Sequence, residues 1–207
     1  MKVFIINCFD TYEHRVDLLY GFFKANGDTV KVYTSNFRHF DKVERNDNKN
    51  NYIYVKANPY YKNLSLGRLY SHYKLSRDIF DEIKNQEVDL VWVLIPPNSF
   101  VEMADRYKRA YPNTKLIFDV IDLWPETMPI HKFKSLPPFS NWRNLRDKKL
   151  NVADIVVTEC SLYHEILKPV VGQNKLQTIY LARQVNEIKI NPQLPQNDIS
   201  ICYLVFN

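Results

Sequence analysis

Glycine is scarce in this chain: 207 residues hold four, Gly21, Gly27, Gly67 and Gly172. None builds a G-x-G-x-x-G turn or a P-loop, so the backbone cradle that holds a pyrophosphate against a helix start is missing after the first apolar run. That argues against a nicotinamide-dinucleotide domain and against a nucleoside triphosphatase. Cysteine is scarce as well. Cys8, Cys160 and Cys202 have no metal or redox spacing, and each sits in an apolar run where a free thiol behaves as a small hydrophobe. No metal site and no disulfide frame is expected, and a reducing, cytoplasmic setting follows. Charge of one sign is in small excess, with Lys+Arg 28 against Asp+Glu 23 and a net charge of +5. This suits anionic substrates or a membrane surface and is too weak for a nucleic-acid partner. Long apolar runs are missing too. The most apolar later run, "VDLVWVLIPP", is about half the length that spans a bilayer. The start, "MKVFIINCF", reads as a first strand rather than a signal peptide. No Ser/His/Asp or Cys/His nucleophile set can be assembled from the spacing. Ser161 and His164 lie three apart, but an N-cap role explains Ser161, so a hydrolase is disfavoured.

What is present is an even alternation of strand-like and helix-like segments. Hydrophobic residues make up 45% and charged residues 25%, ordinary for a soluble globular chain, while 14 tyrosines raise the aromatic share to 14%. Strands are expected at 2–9, over "TVKVYTS" and "YIYVKA", over "VDLVWVLIP", at 115–121, over "DIVVTEC" and over "KLQTIYLA". Between them, Val16, Leu19, Tyr20 and Phe23 recur at i, i+3, i+4, i+7, the stripe of an amphipathic helix. Leu66, Leu69, Tyr70, Tyr73, Phe80 and Ile83 mark a longer helix, with Arg68, Lys74, Arg77 and Asp78 on its other face. Further helices are expected over 99–110, over 140–152 with Ser140 as N-cap, and over 161–171; the polar segment 36–51 reads as a loop. Strands that alternate with helices of crossover length, and that are apolar throughout, predict an α/β fold: a doubly wound, mostly parallel, Rossmann-like sheet in a single domain over 1–186. The Pro/Asn/Gln-rich stretch 187–198 reads as a linker. "ISICYLVFN" (199–207) is expected to be either an edge strand or the first strand of a missing C-terminal domain.

In such folds ligands bind outside the carboxyl ends of the strands. The candidate segments are therefore Asn7–Arg15, Pro96–Ser99, Asp122–Glu126 and Glu159–Ser161. His14 and Arg15 are candidates to meet an anionic group, or equally a solvated helix start. Asp122 can accept a proton or hydrogen-bond a polar substrate, or cap its own turn. Trp124 can offer an apolar face to a sugar ring or pack on a neighbouring helix, and Glu126 has the same two readings. The run "NWRNLRDKKL" places Arg143, Arg146, Lys148 and Lys149 beside Trp142 and Leu145. It is either a face for anionic lipid head groups or an ordinary solvated helix.

Three stretches carry a family resemblance: "DVIDLWPETMP", "NLSLGRLYSHYKLSRDIF" and "LNVADIVVTECS". The first resembles the Asp-Leu-Trp-Pro-Glu-Ser strand end of bacterial retaining glycosyltransferases of the GT-B fold, in the glycogen-synthase-like group that builds capsule and exopolysaccharide. The likeness runs over roughly residues 2–182. Asp122, Trp124, Pro125 and Glu126 match the motif, Thr127 stands where serine is frequent, and Ile121 stands where relatives place a basic residue. The resemblance implies the N-terminal, acceptor-side half of such an enzyme, with Asp122 as catalytic candidate and His14, Arg15, Trp124, Glu126 and Ser161 toward the acceptor. It also implies no metal and no cofactor on this half, a nucleotide-sugar donor held by a second domain, a sugar or lipid-linked sugar as acceptor, and a peripheral place at the inner face of the membrane. Sugar transfer by the 207 residues alone is expected to be negligible. The alternative is a free-standing Rossmann-like binding or scaffold subunit that partners a separate donor-binding chain.

Overall fold

The computed structural model describes residues 1–128, 135–137 and 139–182. The expected linker and the strand at 199–207 lie outside them.

Among the described residues, seven strands form one sheet: β1 (Lys2–Ile6), β2 (Thr29–Ser35), β3 (Tyr52–Val55), β4 (Leu90–Ile95), β5 (Lys115–Val120), β6 (Ile155–Thr158) and β7 (Leu176–Thr178). All neighbours are parallel, in the order β3-β2-β1-β4-β5-β6-β7. Five α-helices connect them: α1 (Glu13–Ala25), α2 (Leu66–Ile83), α3 (Ser99–Ala110), α4 (Phe139–Asp147) and α5 (Ser161–Val171). The chain is therefore an α/β, Rossmann-like domain, as the alternation predicts.

Both sheet faces are covered, which is why the central strands are apolar without a break. Every residue of β4 is buried. Phe4, Ile6, Val93, Ile95 and Phe118 pack with Leu75, Ile79 and Phe80 of α2, Phe100 and Ala104 of α3, and Leu167 of α5. The alternate residues Val3, Ile5, Val32, Trp92 and Leu94 pack with Val16 and Phe23 of α1 on the opposite face. Gly27 and Gly172 close α1 and α5 at φ near +80°, a backbone region that disfavours side chains. The 36–51 loop is tied to α1: Arg45 bonds Glu13, and Lys49 reaches Glu13 and Asp17.

Three local expectations change. Helix α4 starts at Phe139, so Ser140 is inside it rather than its cap, and it ends at Asp147. Ser161 is the first residue of α5, whose N-cap is Cys160. The largest change is in α2. Its buried residues are Arg68, Ser71, His72, Leu75, Ser76, Ile79, Phe80 and Ile83, whereas Leu66, Tyr70 and Tyr73 are exposed. Counted back from Ile83 in steps of three and four, the core stripe runs onto polar residues in the first half of the helix. That half covers the carboxyl edge of the sheet rather than its centre.

Candidate functional site

The order of the strands reverses between β1 and β4, and the segments leaving β1, β4, β5 and β6 meet at that edge. After β1, the Asn7 side chain accepts from the Phe9 backbone N–H (3.2 Å) and donates to the Phe9 carbonyl (2.8 Å), a local turn that sets the Phe9 ring. After β4, the buried Asn98 donates through Nδ2 to the carbonyls of Trp124 and Trp142, each at 3.0 Å. One amide thus joins the segment after β5 to α4.

After β5, the Ile121 and Asp122 amides bond the Ile95 carbonyl, and the chain turns over 122–128. Asp122 organises this turn. Its Oδ2 accepts from Trp124 Nε1 at 2.6 Å and its Oδ1 from Thr127 Oγ1 at 2.6 Å. Tyr163 of α5 stands 3.5 Å from Oδ1. The capping role is the one these bonds show, and they leave the Asp122 carboxylate partly exposed at the edge.

Glu159, the residue after β6, lies within electrostatic reach of Asp122. Burial and the Asp122 charge push its carboxyl up to about 7. The same two causes raise the hydroxyls of Tyr12 and Tyr163, which stay protonated as hydrogen-bond donors. Two carboxylates and two phenols thus lie within electrostatic reach of one another, a set suited to hydrogen-bonding hydroxyl groups.

Beside this set lies an aromatic group. His72 stacks on Trp124 (ring centroids 6.0 Å apart), Trp142 is stacked at 6.5 Å, and Phe9 lies at 5.6 Å. The Arg68 guanidinium sits 4.4 Å over the Trp124 ring. Trp124 is therefore enclosed, and its polar edge serves Asp122. Trp142 and Leu69 line two cavities here, of about 200 and 80 Å³, and Trp124 also lines the smaller one. A separate groove of about 270 Å³ between α2 and α3 is lined by Arg77, Lys84 and Arg106. It involves the far ends of those helices and none of the strand-edge residues.

The other sequence candidates fall elsewhere. Arg15 is buried in a strut: Nε and Nη2 donate to Asp119 at 2.7 and 2.9 Å, and Nη1 to the Ile179 carbonyl at 3.1 Å. Trp92 Nε1 donates to the same Asp119. His14 and Ser161 are exposed, and no side-chain bond joins either to Asp122. Glu126 receives Arg146 at 2.8 and 3.1 Å, and Arg146 also bonds the Trp124 carbonyl. This corrects the membrane-facing role of Arg146. Only 1% of it is exposed, and although burial opposes its charge, Glu126 and Asp147 outweigh that and hold it protonated. Lys149 is likewise engaged, with Glu102 and Asp105. Of that basic run, Arg143 and Lys148 carry no such pair among the described residues.

The residues missed in the sequence are Arg68, His72, Asn98 and the role of Glu159. The signal for the first two was the α2 stripe itself, which passes through positions 68, 71, 72 and 75. Glu159 was visible only as the residue after a strand.

No protein-family model matches the chain, and no curated protein sequence is similar to it. Solved structures do share its fold. Sucrose-phosphate synthase from Thermosynechococcus elongatus superposes with a TM-score of 0.58 at 12% identity, over 87% of this chain and 48% of that one. A shorter chain of the same synthase gives 0.56 at 14% identity, over 90% and 91%. UDP-GlcNAc 2-epimerase from Neisseria meningitidis, bound to UDP-GlcNAc, gives 0.50 at 15% identity, over 86% and 46%. The chain is one Rossmann-like unit of the kind found in GT-B-type folds. It spans about half the length of the full-length synthase and of the epimerase.

Proposed function

We propose that this chain is the acceptor-side, N-terminal half of a nucleotide-sugar-dependent, retaining glycosyltransferase that builds cell-surface polysaccharide. The observation that carries the reading is Asp122: a carboxylate fixed by Trp124 and Thr127 at the carboxyl edge of a parallel sheet, beside Glu159, Tyr12 and Tyr163. The Asp-Leu-Trp-Pro-Glu sequence and two neighbours whose names concern sugars support the same reading.

In this reading Asp122 accepts a hydrogen bond from the acceptor hydroxyl that attacks the donor sugar. A carboxylate also stabilises the positive charge that builds on that sugar as its bond to the nucleotide breaks. Glu159 and the two tyrosines hold neighbouring hydroxyls, and Trp142 packs on the ring. The nucleotide sugar belongs to a second domain, which also excludes water when the cleft closes. A lipid-linked acceptor brings Arg143 and Lys148 to the head groups.

Calorimetric titration of the chain with a panel of neutral oligosaccharides tests this. At least one binds, and Asp122→Asn weakens it at least tenfold in a chain that still unfolds cooperatively. Binding indifferent to Asp122 refutes the assignment.

A further inference from the structure

Five buried side-chain polar atoms among the described residues have no hydrogen-bond partner, and three of them surround one indole: Arg68 Nε, His72 Nε2 and Asn98 Oδ1. Arg68 covers the Trp124 ring, His72 stacks on it, and Asn98 bonds its carbonyl. Such atoms are rare in folded proteins, and each calls for a partner. The three residues are 6%, 4% and 4% exposed.

Arg68 is the odd one electrically. A buried guanidinium is normally paired with an acid. Here one nitrogen donates to the Asn63 carbonyl at 2.7 Å, rings of Phe9, Tyr60 and Trp124 surround the charge, and no carboxylate pairs with it among the described residues. Its charge acts on everything near it. Burial first, and then Arg68, hold His39 down to about 3 and His72 well below its usual range, so both imidazoles are neutral. Lys42 is depressed for the same reasons. Asp10 is the acidic group on this side, and it accepts the His39 backbone N–H.

Arg68 lines the 200 Å³ cavity, with Asn63, Leu66, Met128 and Phe139. His72 and Asn98 line the 80 Å³ cavity, with Ser99 and Leu145. Leu69 and Trp142 belong to both linings, so the cavities are neighbours across those two side chains.

We propose that these adjoining cavities bind a sugar that carries an oxyanion, phosphate or carboxylate, with the anion against Arg68 and ring hydroxyls against His72 and Asn98. A guanidinium is matched to a two-oxygen anion. A hydroxyl both donates and accepts, so it satisfies the Asn98 oxygen and the imidazole nitrogen together. The inference rests on the acceptor-side reading and narrows it: the acceptor is anionic where it enters this site. The anion belongs either to a free sugar or to a phosphate-linked lipid head group.

Titration of the 207-residue chain with glucose 6-phosphate, glucuronate, glucose and inorganic phosphate tests it. Glucose 6-phosphate or glucuronate binds at least about tenfold tighter than glucose, because a charge-assisted bond is roughly twice as strong as a neutral one. Phosphate alone binds more weakly than glucose 6-phosphate. Arg68→Gln removes the preference for charge. Vesicles containing phosphatidylinositol form the second arm. Binding to them but not to free sugar phosphates assigns the anion to a lipid head group, and the reverse assigns it to a free sugar. Equal affinities for charged and neutral hexoses with no vesicle binding, or a preference that survives Arg68→Gln, overturns the proposal. If Arg68→Gln does not fold, the 15N resonance of His72 Nε2 in the unaltered chain decides: it shifts with the charged sugar, and a static resonance is contrary. Neutral oligosaccharides that bind through Asp122 without any preference for charge would defeat this inference alone. Failure of every sugar to bind would defeat the functional reading with it.

Discussion

Glu159 has no side-chain hydrogen bond or ion pair among the described residues, and it lies within reach of the Asp122 charge. Its folded value of about 7 stands above that of an unfolded glutamate, about 4.3. The folded state therefore holds its proton longer than the unfolded state. Below pH 4.3 the group costs nothing, stability falls as pH rises through the window from about 4.3 to 7, and the loss is complete above it. Glu159→Gln should match the unaltered chain at pH 4.5 and exceed it at pH 8 by on the order of 2 kcal/mol in urea unfolding. An equal gap at both pH values would remove the charge explanation. At this scale the sequence was readable at Asp122, where one of its two readings, a cap on its own turn, is seen in the bonds from Trp124 and Thr127. It was not readable at Glu159, because the acidic neighbour that perturbs it comes from another strand.

Helix α4 separates charges that look alike in sequence. Arg143, Arg146, Lys148 and Lys149 form one basic run, yet Arg146 is the buried post that links Glu126, Asp147 and the Trp124 carbonyl. Arg146→Ala removes a buried guanidinium with its ion pairs to Glu126 and Asp147 and its bond to the Trp124 carbonyl, and should cost about 3 kcal/mol in chemical denaturation. The double change Arg143→Glu and Lys148→Glu should leave stability within about 0.5 kcal/mol and weaken binding to anionic vesicles. Vesicle binding unchanged by that pair would end the membrane reading of this helix. Helix α2 was misread for a related reason. A stripe drawn through Leu66, Tyr70 and Tyr73 assumes that the buried face is the apolar one. That holds from Leu75 to Ile83, over the centre of the sheet. It fails from Arg68 to His72, where the helix meets polar groups at the sheet edge. The bounds of α3 and α5 matched their periodicity: α3 buries apolar residues from Phe100 to Tyr107, and α5 is held to the core by Leu167 and Val171 in its second half.

At the scale of the molecule, alternating strands and helices were enough to read a parallel, doubly wound sheet. The strand order was not, because β1 pairs with β4 across more than eighty residues and no local pattern records it. That pairing makes the site, since it sets the segment after β1 beside those after β4 and β5. The chain holds three tryptophans, which probe the site directly. Trp124 bonds Asp122 and Trp142 lines both cavities, while Trp92 is buried against Asp119 on the α1 side of the sheet. Following the three indole N–H resonances while an acceptor oligosaccharide is added is the most direct test that this edge binds sugar. The resonances of Trp124 and Trp142 should move in proportion to occupancy while that of Trp92 stays fixed. Movement of Trp92 alone, or saturation of binding with all three unmoved, would place the sugar elsewhere.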